Sequence, residues 1–216
     1  MKSILVCGLG RFGYHIAKKF AELGNEVLVV DSDEARINDA LPHVTNGLIG
    51  DCTNEQFIAG LGVPNFDICV VAIGDNFQSS LETTALLKDY GAKHVLSLAT
   101  RDVHAKFLLR NGADEIVYAE KEMAERLAVK HSNNNIFDYI ELTSDYSIYE
   151  ISVPRDWVGK SITEAAIRSN HHVMILATKQ DGALFPAPRA DYVFTGKETL
   201  MIMGRNEFVR KLVQKG

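Results

Sequence analysis

Six short apolar runs, ILVCG, VLVVD, GLIGD, ICVVAIG, HVLSLA and EIVYA, recur between residue 4 and about residue 118, each separated from the next by an amphipathic stretch. Runs this short and this apolar suit strands buried on both faces, and the helical patterns between them supply the crossovers that parallel strands need. The fold they predict is α/β: a Rossmann-type, doubly wound parallel sheet of six strands with helices on either side. The first crossover helix is marked by Ile16, Phe20 and Leu23 at i, i+4 and i+7, with Lys18, Lys19 and Glu22 elsewhere and Gly24 as the stop. Further helices are expected over about 33–41, 54–61, 76–90 and 102–111, several opening on Asp, Asn or Ser-like caps.

After the sixth run the rhythm changes. EKEMAERLAVKHSNNN reads as a charged helix that gives way to a turn at the asparagines. Beyond it, IELTSDYSIYEISVP, HVMILATKQDG and ETLMIMG read as strands, and GKSITEAAIRSN and NEFVRKLVQKG as helices. The expected organisation is a nucleotide-binding domain over 1–120, a linking helix over 121–139 and a small C-terminal α+β domain over 140–216.

Composition narrows the function classes. A formal net charge of -5 over 216 residues does not favour nucleic acid as a partner. No apolar run reaches the roughly 18–20 residues of a membrane span, and the apolar stretch in MKSILVCGLG is too short for a signal peptide, so a cytoplasmic location is expected. Cys7, Cys52 and Cys69 lack metal-ligand spacing and read as reduced core or near-site residues.

Chemistry concentrates where the first apolar run ends. Gly8, Gly10 and Gly13 form G-x-G-x-x-G between a strand and a helix; the first permits a tight turn, the second lets a phosphate approach the backbone, the third lets helix pack on sheet. The helix N-terminus offers free N–H groups and a positive dipole end to an anion. Asp31 ends the second run about 20 residues further on, where an acid hydrogen-bonds ribose hydroxyls, so an unphosphorylated ribose is preferred. A strand-end Asp that caps the DSDEAR helix is the alternative. Asp51 and Cys52 after the third run, and Gly74 and Asp75 after the fourth, lie where open α/β sheets bind ligands, or else form helix-capping turns. Phe12, Ser32 and Ala72 adjoin these positions and join the candidate set. Arg11, inside the loop, suits a ligand with terminal phosphate, since Arg makes paired charge-assisted bonds to phosphate oxygens; snorkelling over the sheet edge is the alternative.

With GLGRFG, VVDSD, GDCT, VVAIGDN and GADEIVYAEKEMA in that order, and VPRDWVGKSITEAAI later, the chain resembles the cytosolic subunits of Ktr/Trk-type potassium transporters over essentially its whole length. In that family a regulator-of-potassium-conductance nucleotide domain precedes a small C-terminal domain. The resemblance implies binding of ATP, ADP or NAD(H), with Arg11 on terminal phosphate. It also implies homodimers assembled as an octameric ring under a membrane-embedded potassium transporter subunit, and a peripheral place at the inner face of the cell membrane through that partner. Glu120 matches a family position linked with a cation (Mg, Ca or Na); from the residues alone it is a helix N-terminal acid favoured by the dipole. Some members bind cyclic di-AMP on the C-terminal domain, where Ile167, Arg168, Asn170, Val173 and Pro188 correspond. The R-x-K-Y-G pattern common there is replaced here by Arg168-Ser169-Asn170-His171-His172.

An NAD-dependent oxidoreductase is the competing class, and it needs a substrate lobe with a proton donor or acceptor set against the nicotinamide. The C-terminal stretch shows no such arrangement. The expectation is a nucleotide sensor without catalysis.

Overall fold

Residues 1–214 are described by a computed structural model, which divides into two compact units, Met1–Lys121 and Glu122–Gly216. The first unit alternates strand and helix: β1 (Ser3–Cys7), α1 (Arg11–Glu22), β2 (Glu26–Asp31), α2 (Glu34–Ala40), β3 (Asn46–Ile49), α3 (Glu55–Gly60), β4 (Ile68–Val71), α4 (Phe77–Asp89), β5 (Val95–Leu98), α5 (Asp102–Arg110) and β6 (Glu115–Val117). Its sheet is parallel throughout, in the order β3-β2-β1-β4-β5-β6. The order reverses direction beside β1, and a doubly wound sheet binds ligands in the crevice that this reversal opens.

Alternation along β1 builds two cores. Ile4 and Val6 pack with Val27, Val29 and Val70 on one face, and Leu5 and Cys7 pack with Val30, Cys69 and Val71 on the other. Burial on both faces holds for the central strands only. The GLIGD run forms edge strand β3, where Leu48 and Ile49 are exposed, because an edge strand has a neighbour on one side only.

Helix starts follow side-chain caps. Asp33, Asn54 and Asn76 accept hydrogen bonds from Ala35, Phe57 and Ser79 N–H and open α2, α3 and α4. In α1 the expected stripe fails at its last member: Leu23 lies one residue past the helix and is 67% exposed, while Gly13 and Ala17 are the buried positions. Small residues carry this helix against the sheet.

The division between units falls within α6 (Ala119–His131), which ends well short of residue 139 because β7 (Ile136–Glu141) has begun. β7 and β8 (Tyr146–Ser152) are the two arms of a hairpin; the stretch IELTSDYSIYEISVP expected as strand takes in only the end of β7, the turn and β8. β9 (Val173–Gln180), β10 (Ala183–Pro186) and β11 (Thr199–Arg205) complete an antiparallel sheet ordered β10-β9-β11-β8-β7. Trp157, Tyr149, Phe194, Leu200 and Ile202 centre its core, which α9 (Asn206–Gln214) closes with Val209, Leu212 and Val213. The last two residues of the expected C-terminal helix lie outside the described residues.

The single helix expected over GKSITEAAIRSN is two. A capping box between Ser161 and Glu164 starts α7 (Ile162–Ala165), and Ala166, left-handed at φ 47°, separates it from α8 (Ile167–His171). His172 ends α8 at φ 54°, the left-handed geometry that a glycine adopts without a Cβ penalty. His172→Gly is therefore expected to raise stability by about 0.5–1 kcal/mol, net of the lost ring contact with Phe208, as read by chemical denaturation.

His104 of α5 is buried, with Nε2 3.2 Å from Ser80 Oγ of α4 and its ring tilted on Phe77. Burial first, then the nearby Arg101 charge, hold its imidazole below the ordinary value. A depressed folded value means that stability is full above the unfolded histidine's pKa of about 6.5 and is lost as pH falls from there. His104→Gln keeps a polar partner for Ser80 and removes the titration, so its melting temperature should fall less between pH 7 and pH 5 than that of the parent.

Candidate nucleotide site

The glycine loop is held by three contacts. Gly8, at φ +95°, donates its N–H to Val30 O at 2.8 Å. Leu9 N–H donates to Asp31 Oδ2 at 2.6 Å, and a Cβ on Gly13 would land on the Gly8 carbonyl oxygen. Helix and loop thus close on each other at a distance only glycine permits. Gly10 is different: it is the N-cap of α1, and a Cβ built there would meet nothing within 4 Å. The open side of the loop is at Gly10.

At that opening α1 presents its first N–H groups with no capping side chain and no acid in the first turn. The positive end of the dipole is unopposed. Arg11 is exposed, and no hydrogen bond or ion pair engages its guanidinium among the described residues. Phe12 packs its half-buried ring into the core beneath.

Asp31 is 7% exposed, and its other oxygen accepts Asp33 N–H at 2.9 Å. Asp33 rather than Asp31 caps α2, so the strand-end acid belongs to the loop. Arg36 reaches both carboxylates, with N···O distances of 3.6 Å to Asp31 and to Asp33. Ser32 is exposed beside them. Each Asp31 oxygen has a second lone pair for a further donor.

The remaining candidates line the same carboxyl edge. Asp51 Oδ1 accepts Thr53 N–H and Thr53 Oγ1–H at 2.9 and 2.8 Å, a local turn that leads to the Asn54 cap, and Cys52 is buried behind it. Ala72 N–H donates to Cys7 O at 2.8 Å and its methyl group faces Gly13. Gly74 passes close to Leu98 and Thr100, while Asp75 is exposed and leaves the capping of α4 to Asn76. β1, β2, β3 and β4 therefore bring Gly10, Asp31, Asp51 and Asp75 to one end of the sheet.

Two further cations stand at that edge without having been singled out from sequence. Arg36 lies in the first turn of α2, where its spacing from Asp31 and Asp33 was the available signal. Arg101 follows β5, with its guanidinium 5.6 Å from the Phe77 ring centre. Its signal was a cation two residues after an apolar run.

Glu120 is exposed in the first turn of α6, beyond edge strand β6, and no group of three or more His, Cys, Asp or Glu side chains is arranged to hold a metal among the described residues. In the second unit the family-derived positions scatter. Ile167 and Val173 are 3% and 2% exposed and belong to the core, whereas Arg168 and Asn170 are exposed and Pro188 is half-buried after β10. A groove of about 320 Å³ is lined by Ile162, Thr163, Ala166, Ile167, Arg168 and Ser169.

The fold and site define a Rossmann-type nucleotide domain followed by a small α+β unit, and the TrkA-N domain family matches residues 4–119. The chain belongs to that family. It is 37% identical over 203 residues to Ktr system potassium uptake protein C of Bacillus subtilis (strain 168), covering 94% of this chain and 92% of the relative. It is 35% identical over 215 residues to Ktr system potassium uptake protein A of the same organism, covering 100% and 97%. Among solved structures, the GsuK channel bound to NAD matches with a TM-score of 0.70 at 17% identity, over 98% of this chain and 39% of that one, a likeness of fold. No helix among the described residues is long and apolar enough to cross a membrane.

Asp31→Asn should destabilise the protein by about 1–3 kcal/mol without any ligand, because an amide presents one acceptor oxygen where Leu9 and Asp33 N–H groups need two. Urea denaturation measures it; an unchanged midpoint would mean that the carboxylate does not hold the loop.

Proposed function

We propose that this chain is a nucleotide-sensing regulatory subunit of a potassium transporter, with an adenine nucleotide bound at the carboxyl edge of the first sheet. The observation that carries the reading is the acid-free N-terminus of α1 opening at Gly10, flanked by unpaired Arg11 and buried Asp31. N–H groups and a guanidinium suit phosphate; a carboxylate at the end of β2 suits ribose hydroxyls. Relatives named as Ktr potassium uptake proteins, aligned over nearly their whole length, support the transporter as partner. ATP, ADP and NAD(H) all meet the site's requirements, and Glu120 is the residue through which a cation would join them. The groove beside Arg168 suits a second anionic ligand such as cyclic di-AMP.

The subunit acts without chemistry. A ligand shifts a gate only through unequal affinity for two conformations, and a ligand that binds both equally changes nothing. ATP and ADP differ in terminal phosphate, and Arg11 is placed to respond to that difference. Copies arranged as a closed ring, built from dimers, would pass the bias to a symmetric pore.

Arg11→Ala should weaken ATP far more than ADP, by about 1.5–3 kcal/mol for a lost charge-assisted bond. Calorimetry with both nucleotides tests this. Equal losses, or unchanged binding of both, would show that the loop does not read phosphate number.

A further inference from the structure

Position 36 breaks a local rule. Asp33 is the N-cap of α2, and Arg36 stands three residues on, where a capping box carries a glutamate or glutamine that reaches back to the N-cap N–H. Ser161 and Glu164 make that full box at the start of α7. A cation in the first turn of a helix also opposes the positive end of the helix dipole. At α2 the Asp33 N–H donates instead to Asp31 Oδ1 at 2.9 Å, so the acid that ends β2 takes the role of the missing glutamate. Position 36 is thereby released for a positive charge, and a local rule broken in this way marks a functional position.

The guanidinium reaches two carboxylates, with Nη1 3.6 Å from Asp31 Oδ2 and Nε 3.6 Å from Asp33 Oδ2. Both separations exceed hydrogen-bond length, so Arg36 supplies a counter-charge rather than a paired fork. Neither acid is free to turn away. Asp31 accepts Leu9 N–H and Asp33 N–H, and Asp33 Oδ1 accepts Ala35 N–H at 2.9 Å. The proposed nucleotide brings several negative charges to the loop whose Leu9 N–H is bonded to Asp31 itself. Two uncancelled carboxylates there would repel each phosphate over a range of about 8 Å at physiological ionic strength.

We infer that Arg36 is a positioning residue for polyphosphate nucleotides: its charge cancels the Asp31–Asp33 carboxylate pair, so that an acid for the ribose and a loop for the phosphates share one edge of the sheet. This role rests on the nucleotide site proposed above, and no contact of Arg36 with ligand is part of it. Because charge alone is needed, lysine should replace arginine, which it would not do at a paired or stacked site. Because the repulsion comes from the carboxylates, removing one of them should restore what a neutral residue 36 loses.

The test is calorimetry of ADP and ATP on the full chain, with EDTA present, at about 50 and about 500 mM NaCl. Wild type is compared with Arg36→Gln, Arg36→Lys and the double variant Arg36→Gln/Asp33→Asn, in which asparagine still caps α2. Arg36→Gln should bind ADP at least about 10-fold more weakly at low salt and ATP more weakly still, and both losses should shrink at high salt. Arg36→Lys should stay within about 3-fold of wild type, and the double variant should recover most of the loss. A glutamine variant that binds like wild type overturns the inference, as does a loss that ignores salt or that Asp33→Asn leaves in place. The lysine variant decides the matter even where the glutamine variant fails to fold, since a loss of about 10-fold or more with lysine also overturns it. Wild type without affinity for either nucleotide would remove the proposed function and this role together, whereas binding that is equal in wild type and Arg36→Gln removes the role alone.

Discussion

Leu9 N–H donating to the Asp31 carboxylate is the contact on which the nucleotide edge depends. It ties the loop after β1 to the end of β2, and with Gly8 N–H on Val30 O it sets the direction in which the chain enters α1. The price is a carboxylate almost out of water, met by two backbone donors and the nearby Arg36. Gly13 then lies against the Gly8 carbonyl, so the helix begins where its N–H groups face outward at Gly10. A residue expected from sequence to contact ligand is thus also the residue that shapes the loop.

Much of the fold was legible because its causes are local. Short apolar runs mark strands wherever both faces are covered, and Asp33, Asn54 and Asn76 mark helix starts because each cap is made within three residues. The misreadings lie where apolar content and position diverge. Leu23 continues a helical spacing past the end of its helix, and Leu48 and Ile49 are apolar yet sit on an edge. In the second unit the β7–β8 turn and the break at Ala166 carry no glycine or proline to announce them. β10, four residues with every side chain exposed, has no buried face to leave a pattern.

The site divides in the same way. Gly8, Gly10, Gly13 and Asp31 were readable because a tight turn and a strand-end acid require particular residue types at fixed spacing. Arg36 and Arg101 gain their places only when β2 and β5 end at the same edge of the sheet. Ile167 and Val173, placed by resemblance, are drawn into the core of the second unit, since an isolated apolar residue beside a polar one does not reveal which faces inward.

The proposed sensor requires that ligand and loop be coupled before any gate can respond. Hydrogen exchange of the backbone amides of residues 9–13 and 50–54, with and without saturating ATP, ADP or NADH, measures that coupling directly. The expected result is slowed exchange in both segments, with the β8 and β11 strands of the second unit unchanged. Exchange at the loop that is the same with all three nucleotides as without them would contradict a nucleotide site there.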